Sequence, residues 1–120
     1  MTTSSENRLP GVVVHLDEAD PAKHASVLRN IRHLIDELDD GAPVELVAHG
    51  PGLAAVQRNA EHAEGVRDAL GRGVVVAACA NTMREKDVSA DQLIDGVTTV
   101  PAGIAELVRR QREGWSYVRP

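Results

Sequence analysis

At 120 residues the chain is long enough for one domain and too short for two, and folding such a chain buries roughly two-thirds of the surface it exposes when unfolded. Hydrophobic residues make up 42% of it but aromatics only 2%, with no Phe, so the core must be built from Val, Leu, Ile and Ala, which suits close-packed helices on a sheet. Thirteen Lys and Arg against eighteen Asp and Glu leave a net charge of -5, which repels a phosphate backbone and argues against nucleic acid as a partner.

Residues 1–7 are polar, with no apolar stretch behind a basic start. They read as neither secretory signal nor membrane anchor but as part of a short disordered arm, residues 1–9, ahead of a domain at 10–120. No apolar run approaches the roughly 18 residues that span a bilayer, and a lone cysteine forms no internal disulfide. No membrane partner is expected, and the cytoplasm is the expected location.

The run VVVHL from Val12 to Leu16, bounded by Pro10-Gly11 and by an acidic stretch, reads as a buried strand. Asp20-Pro21 supplies an N-cap followed by proline at the first helical position, and Leu28, Ile31, Ile35 and Leu38 follow at helical spacing. This helix should run to about Asp39 and stop at Gly41. A second strand, residues 44–48, ends in His49-Gly50-Pro51-Gly52, after which Leu53, Val56, Ala63, Val66 and Leu70 predict one broken or two successive helical segments ending at Gly71 and Gly73. Residues 74–78 are uniformly apolar, as in a strand covered on both faces of a parallel sheet, with Cys79 at its carboxyl end. Ser89 and Gln92 have capping-box spacing ahead of a short helix that ends by Gly96. Residues 97–100 predict a fourth strand. Pro101 then opens a helix with Ile104, Leu107, Val108 and Gln111 on one face, and residues 115–118 predict a last edge strand. Strands alternating with helices give a single three-layer α/β domain with a mainly parallel sheet of about five strands flanked by helices.

In such a sheet the loops at the carboxyl ends of the strands form the binding crevice. His15, His49 and Cys79 all fall at that edge, and a 2-1-3 strand order would set them side by side. Cysteine acts as nucleophile or sulfur acceptor only as thiolate, which a helix N-terminus beginning at Asn81, or an imidazolium from His15 or His49, would favour. Equally, Cys79 reads as the last small residue of a buried strand. The three residues could also ligate zinc, but their wide separation matches no short metal motif. His24, His33 and His62 fall on predicted helices and read as solvated.

Residues 50–55, GPGLAA, formally fit a G-x-G-x-x-A dinucleotide pattern, although Pro51 removes an amide donor and the segment also reads as a tight turn. An anion could still sit on free amides of Gly52 and Leu53. Arg109, Arg110 and Arg112 complement the carboxyl end of their helix or bind an acidic partner. Trp115 and Tyr117, the only aromatics, mark either an interface or an ordered tail over the domain's own sheet edge.

Three stretches together carry a family likeness: Val76-Ala77-Ala78-Cys79-Ala80-Asn81-Thr82-Met83, His49-Gly50-Pro51-Gly52, and the ending from Val100-Pro101-Ala102-Gly103 to Glu113-Gly114-Trp115. The chain resembles the DsrE/DsrF-like family from residue 12 onward, in a branch with a strand-end C-x-N-T-M. The resemblance implies a compact three-layer α/β fold, often called YchN-like, that commonly assembles into trimers or hexamers. It also implies sulfur relay, in which a strand-end cysteine matching Cys79 carries a persulfide between donor and acceptor proteins, with Asn81 and Thr82 shaping its loop and no cofactor called for. Two readings follow. One is a thiol-based sulfur carrier acting through Cys79. The other is a non-catalytic oligomeric module binding a small ligand with His15, His49 and the turn from Gly50 to Gly52.

Overall fold

The computed structural model describes residues 9–120, so the expected arm lies outside the described residues except for Leu9, which is exposed. Five strands form one sheet: β1 (Val12–Leu16), β2 (Val44–Ala48), β3 (Val75–Cys79), β4 (Thr98–Val100) and β5 (Ser116–Val118). Four helices connect them: α1 (Pro21–Leu38), α2 (Ala63–Gly71), α3 (Ala80–Glu85) and α4 (Gly103–Arg112), with 3-10 segments at Gly50–Val56 and Ala90–Gln92. Every strand pairing is parallel, and the order across the sheet is β4-β3-β2-β1-β5.

That order overturns the 2-1-3 expectation: β2, not β1, is the middle of the first three strands. Its consequence for the helices follows from handedness. The chain steps from β1 through β2 and β3 to β4 in one direction, then jumps back across the whole sheet to β5. Right-handed crossovers place the helices of the forward steps on one face and the helix of the return step on the other. Accordingly α1, α2 and the first 3-10 segment cover Val14, Leu46, Val76 and Ala78 on one face, while α4 covers Val13, Val47 and Ala77 on the opposite face.

The two faces are unequal. The first carries the main core, in which Ile31, Leu46, Leu53 and Val66 are fully buried, each such side chain contributing about 1.5–3 kcal/mol. The second is only partly sheltered. Val75 is 43% exposed, so β3 is not covered on both faces at its amino end. The apolar stripe expected to dock α4 is also split, since Leu107 is buried but Ile104 and Val108 face outward at 56% and 42% exposure. Gly103, Glu106 and Leu107 meet the sheet instead.

Local signals act largely as the sequence predicts. Asp20 caps α1 through Ala22 N at 3.0 Å with Pro21 in the first turn. Asp39 closes the helix in the left-handed conformation at φ 47°, two residues before Gly41. Ser89 and Gln92 form their capping box around a 3-10 turn. The last helix starts at Gly103 rather than Pro101. His24 is not solvated: it is buried, with Nε2 2.6 Å from the Glu18 carbonyl. None of the helices among the described residues is long and apolar enough to cross a membrane.

Candidate functional site

A parallel sheet opens a crevice where two neighbouring strands send their chains to opposite faces. Here β3 and β4 are those strands: the chain leaves β3 for α3 and the main core, and leaves β4 for α4 on the other face. Cys79 stands at this divergence, paired in register with Val100. Its side chain points to the face covered by α4, and the residue is 3% exposed.

Backbone amides and a hydroxyl surround the sulfur. Gly103, the first residue of α4, donates its N–H to Cys79 Sγ at 3.2 Å. Cys79 is also the N-cap of α3, so the amides of Asn81 and Thr82 face it, without the geometry of a side-chain cap. The Thr82 hydroxyl turns toward it as well, while Thr82 Oγ1 accepts the Gly50 N–H at 2.9 Å. Burial pushes the thiol pKa up, yet the Thr82 hydroxyl and the amides of Gly103, Thr82 and Asn81 outweigh it, and the net shift is downward. Dipoles favour the thiolate here, not a cation.

His15 and His49 belong to a second arrangement on the same face. His15 Nδ1 lies 2.7 Å from Tyr117 Oη, and His15 Nε2 lies 2.9 Å from His49 Nδ1, with the two imidazole rings 4.8 Å apart. From the edge inward the row is Tyr117, His15, His49, Cys79. Burial, and secondarily His49, lower the His15 pKa, against Asp17, which raises it. A neutral His15 supplies no imidazolium to Cys79. Because the two histidines spend ring nitrogens on each other, they do not converge on a common metal, and no cluster of three or more His, Cys, Asp or Glu among the described residues could hold one.

Gly103 joins the two arrangements. A Cβ there would fall 2.8 Å from His49 Cβ and 3.4 Å from Cys79 Cβ, so only glycine lets the start of α4 settle between them. Gly52 has a different role. A Cβ on it would lie 2.1 Å from the Leu16 carbonyl oxygen, and its amide donates to the His49 carbonyl at 3.0 Å. The Gly50 amide donates to Thr82 Oγ1 and the Gly52 amide to the His49 carbonyl, so neither of these two donors is free for an anion. The Asn81 side chain is exposed and accepts from Arg84, leaving its backbone amide as its contribution. Clefts lined by Ile35, Gly41 and Val44, by Val14, Ile31 and Val118, and by Gln57 and Asp91 contain none of Cys79, His15 or His49.

Sequence reasoning missed the polar cluster that seats α4. Glu45, the second residue of β2 and 1% exposed, accepts from Arg110 Nε at 2.7 Å, and Glu106 lies 3.4 Å from the same nitrogen. Burial and a hydrogen bond with Glu106 push the Glu45 pKa up to about 7. Arg110 also lies over the Trp115 ring at 4.2 Å. A charged residue inside the apolar strand VELVA was the available signal. The aromatics pack on their own sheet edge: Trp115 on the α4 core, Tyr117 on His15.

Neither a family model nor a curated protein matches the chain. Solved structures do, among them the following two. A protein of unknown function, MTH1491 from Methanobacterium thermoautotrophicum, is similar with a TM-score of 0.87 and 38% identity, over 91% of this chain and 97% of that one. The ychN protein from E. coli shares the fold, with a TM-score of 0.78 and 17% identity over 93% of this chain and 100% of its own. With MTH1491 matched at that identity over nearly its full length, and YchN sharing its architecture, this chain belongs to the YchN/DsrE-like family.

Proposed function

We propose that this protein is a thiol-based sulfur carrier that receives a sulfane sulfur on Cys79 and passes it to an acceptor thiol. The observation that carries the reading is the set of hydrogen-bond donors converging on one lone sulfur at the strand divergence, which lowers its pKa. The Cys79 thiolate attacks the outer sulfur of a donor persulfide, R–S–SH. A new S–S bond forms to Sγ, the donor S–S bond breaks, and its electron pair leaves on R–S⁻. Delivery is the same exchange in reverse sense: an acceptor thiolate takes the outer sulfur and Cys79 departs as thiolate. No net oxidation occurs in either step.

The same donors bear on the product, because Gly103 N–H meets the Sγ to which the outer, charged sulfur of a persulfide anion is bonded. A single free cysteine fits a reducing cytoplasm. The outward apolar residues Ile104, Val108 and Val75 fit assembly into a homo-oligomer, a trimer or hexamer. Donor and acceptor proteins complete the relay.

The test is incubation with glutathione persulfide followed by intact mass. Wild-type protein should gain one sulfur atom, and Cys79→Ser none. An unmodified wild type, or equal adducts on both proteins, would overturn the proposal.

A further inference from the structure

Sulfur exchange at Cys79 moves a proton as well as a sulfur. The donor enters as R–S–SH and leaves as a thiolate that needs a proton, while the outer S–H of the new persulfide has one to lose. Thr82 and the amides around Sγ stabilise charge, but none of them exchanges a proton readily. The row of Tyr117, His15 and His49 ends beside this site, since His49 and Cys79 flank Gly103 and follow the paired residues Ala48 and Ala78.

Resting on the sulfur-carrier reading, the geometry points to Tyr117, His15 and His49 as one proton-conducting chain, with His49 Nε2 as the acid and base for the exchange at Cys79. His15 uses both ring nitrogens inside the row and His49 uses Nδ1. Only His49 Nε2 has no hydrogen-bond partner among the described residues, so it is the chain's inner terminus. Tyr117, exposed on the edge strand β5, is the outer one.

A neutral imidazole has one N–H and one lone pair, so the contacts permit two states of the row. In one, Tyr117 O–H donates to His15 Nδ1, His15 Nε2–H donates to His49 Nδ1, and His49 Nε2 carries a proton outward. In the other every bond is reversed: His49 Nδ1–H donates to His15 Nε2, His15 Nδ1–H donates to Tyr117 Oη, and His49 Nε2 is a bare acceptor. The first state gives the His49 Nε2 proton to the departing R–S⁻ while the other two protons shift one bond inward, so it becomes the second with Tyr117 left as phenolate. The second takes the proton from the outer S–H of the persulfide and returns to the first. Atoms and charge balance over the cycle, and Tyr117 lets the row exchange protons with water when only half of it runs. His49 is the catalytic residue; His15 and Tyr117 act through it as positioning residues. The charged groups facing the row are Asp17 and Arg119, which pair with each other at 3.1 Å.

Both states give His15 and His49 the same tautomer, which is directly observable. Long-range proton–nitrogen NMR of the imidazole rings in the full chain should show matching tautomers, and Tyr117→Phe should shift the His49 ring nitrogens although Tyr117 does not touch His49. Opposite tautomers in the wild type, or an unmoved His49 in Tyr117→Phe, would overturn the relay whatever Cys79 does. Loading from glutathione persulfide gives the second readout. His49→Asn keeps a polar atom near the Nδ1 position and deletes Nε2, so loading should slow about 100-fold near neutral pH, with the alkylation pKa of Cys79 unchanged. Equal loading rates in wild type and His49→Asn would refute the relay and leave the carrier role standing. A wild type that takes up no sulfur would refute the carrier role, and the tautomers would still decide whether the row is coupled.

Discussion

Replacing Gly103 by alanine separates the two ways of stabilising the Cys79 thiolate. The added Cβ would meet His49 Cβ at 2.8 Å and Cys79 Cβ at 3.4 Å. Rotation about a side-chain bond cannot move a Cβ, so the first residue of α4 must lift away. Its N–H then loses the 3.2 Å bond to Sγ. A hydrogen bond to a charged group contributes about 1.5–3 kcal/mol, and about 1.4 kcal/mol corresponds to one pH unit. The Cys79 pKa should therefore rise by roughly one to two pH units, and alkylation at a pH below it should slow about tenfold to a hundredfold. Stability changes less, because alanine favours the helix by about 1 kcal/mol while the forced shift costs about 1–3 kcal/mol. The assay is iodoacetamide labelling against pH, read by intact mass, with urea unfolding as the check on folding. A folded Gly103→Ala protein whose labelling pKa matches the wild type would show that the α4 amide does not hold the thiolate.

Three further outcomes are expected. Glu45 has a folded pKa of about 7 against an ordinary 4.5, so the folded state holds its proton more tightly, and stability should fall as pH rises from about 4.5 through about 7. At about 1.4 kcal/mol per pH unit the loss is at most about 3 kcal/mol, and Glu45→Gln should flatten it; an unchanged urea-midpoint slope would refute the assignment. Gly52→Ala drives a Cβ against the Leu16 carbonyl and should cost about 3 kcal/mol or more, whereas Gly71→Ala, with open space around it, should not; equal urea midpoints would refute the close approach. Ile104→Glu should shift native mass toward smaller assemblies if the outward face of α4 joins copies of the chain, and an unaltered mass would show that it does not.

Strand positions and caps were legible because they are local. Asp20-Pro21, the box at Ser89 and Gln92, and the apolar runs around Val14, Leu46 and Val76 each act through neighbours in sequence. Strand order was not, since an apolar parallel strand reads alike at any interior position. With β1 assumed central, His15 would adjoin Cys79; with β2 central, His49 does, and His15 turns to Tyr117 instead. The structure therefore sets His15, His49 and Cys79 on one face at the strand ends, with neighbours other than those the assumed strand order gave them. Gly103 and Tyr117 escaped as site residues because their roles depend on the return crossover, which brings the end of the chain over residues far earlier in it.

That crossover also explains why a charged cluster lies under an apolar sheet. Among the described residues α4 is the one helix on its face, and Leu107 is its main buried apolar anchor. Hydrophobic contact from one such side chain fixes neither the rotation nor the sliding of a helix, being non-directional. Directional contacts do so at both ends: Glu45 and Glu106 hold Arg110 toward the carboxyl end, and Gly103 N–H meets Cys79 Sγ at the amino end. Removing Arg110 would leave the buried Glu45 without a cation and Glu106 with Arg109 alone, so the helix would be free to shift, and the amide aimed at the sulfur would shift with it. The buried ion cluster and the thiolate site are thus two ends of one positioning device, and the ionic end sets where the hydrogen-bonding end can act.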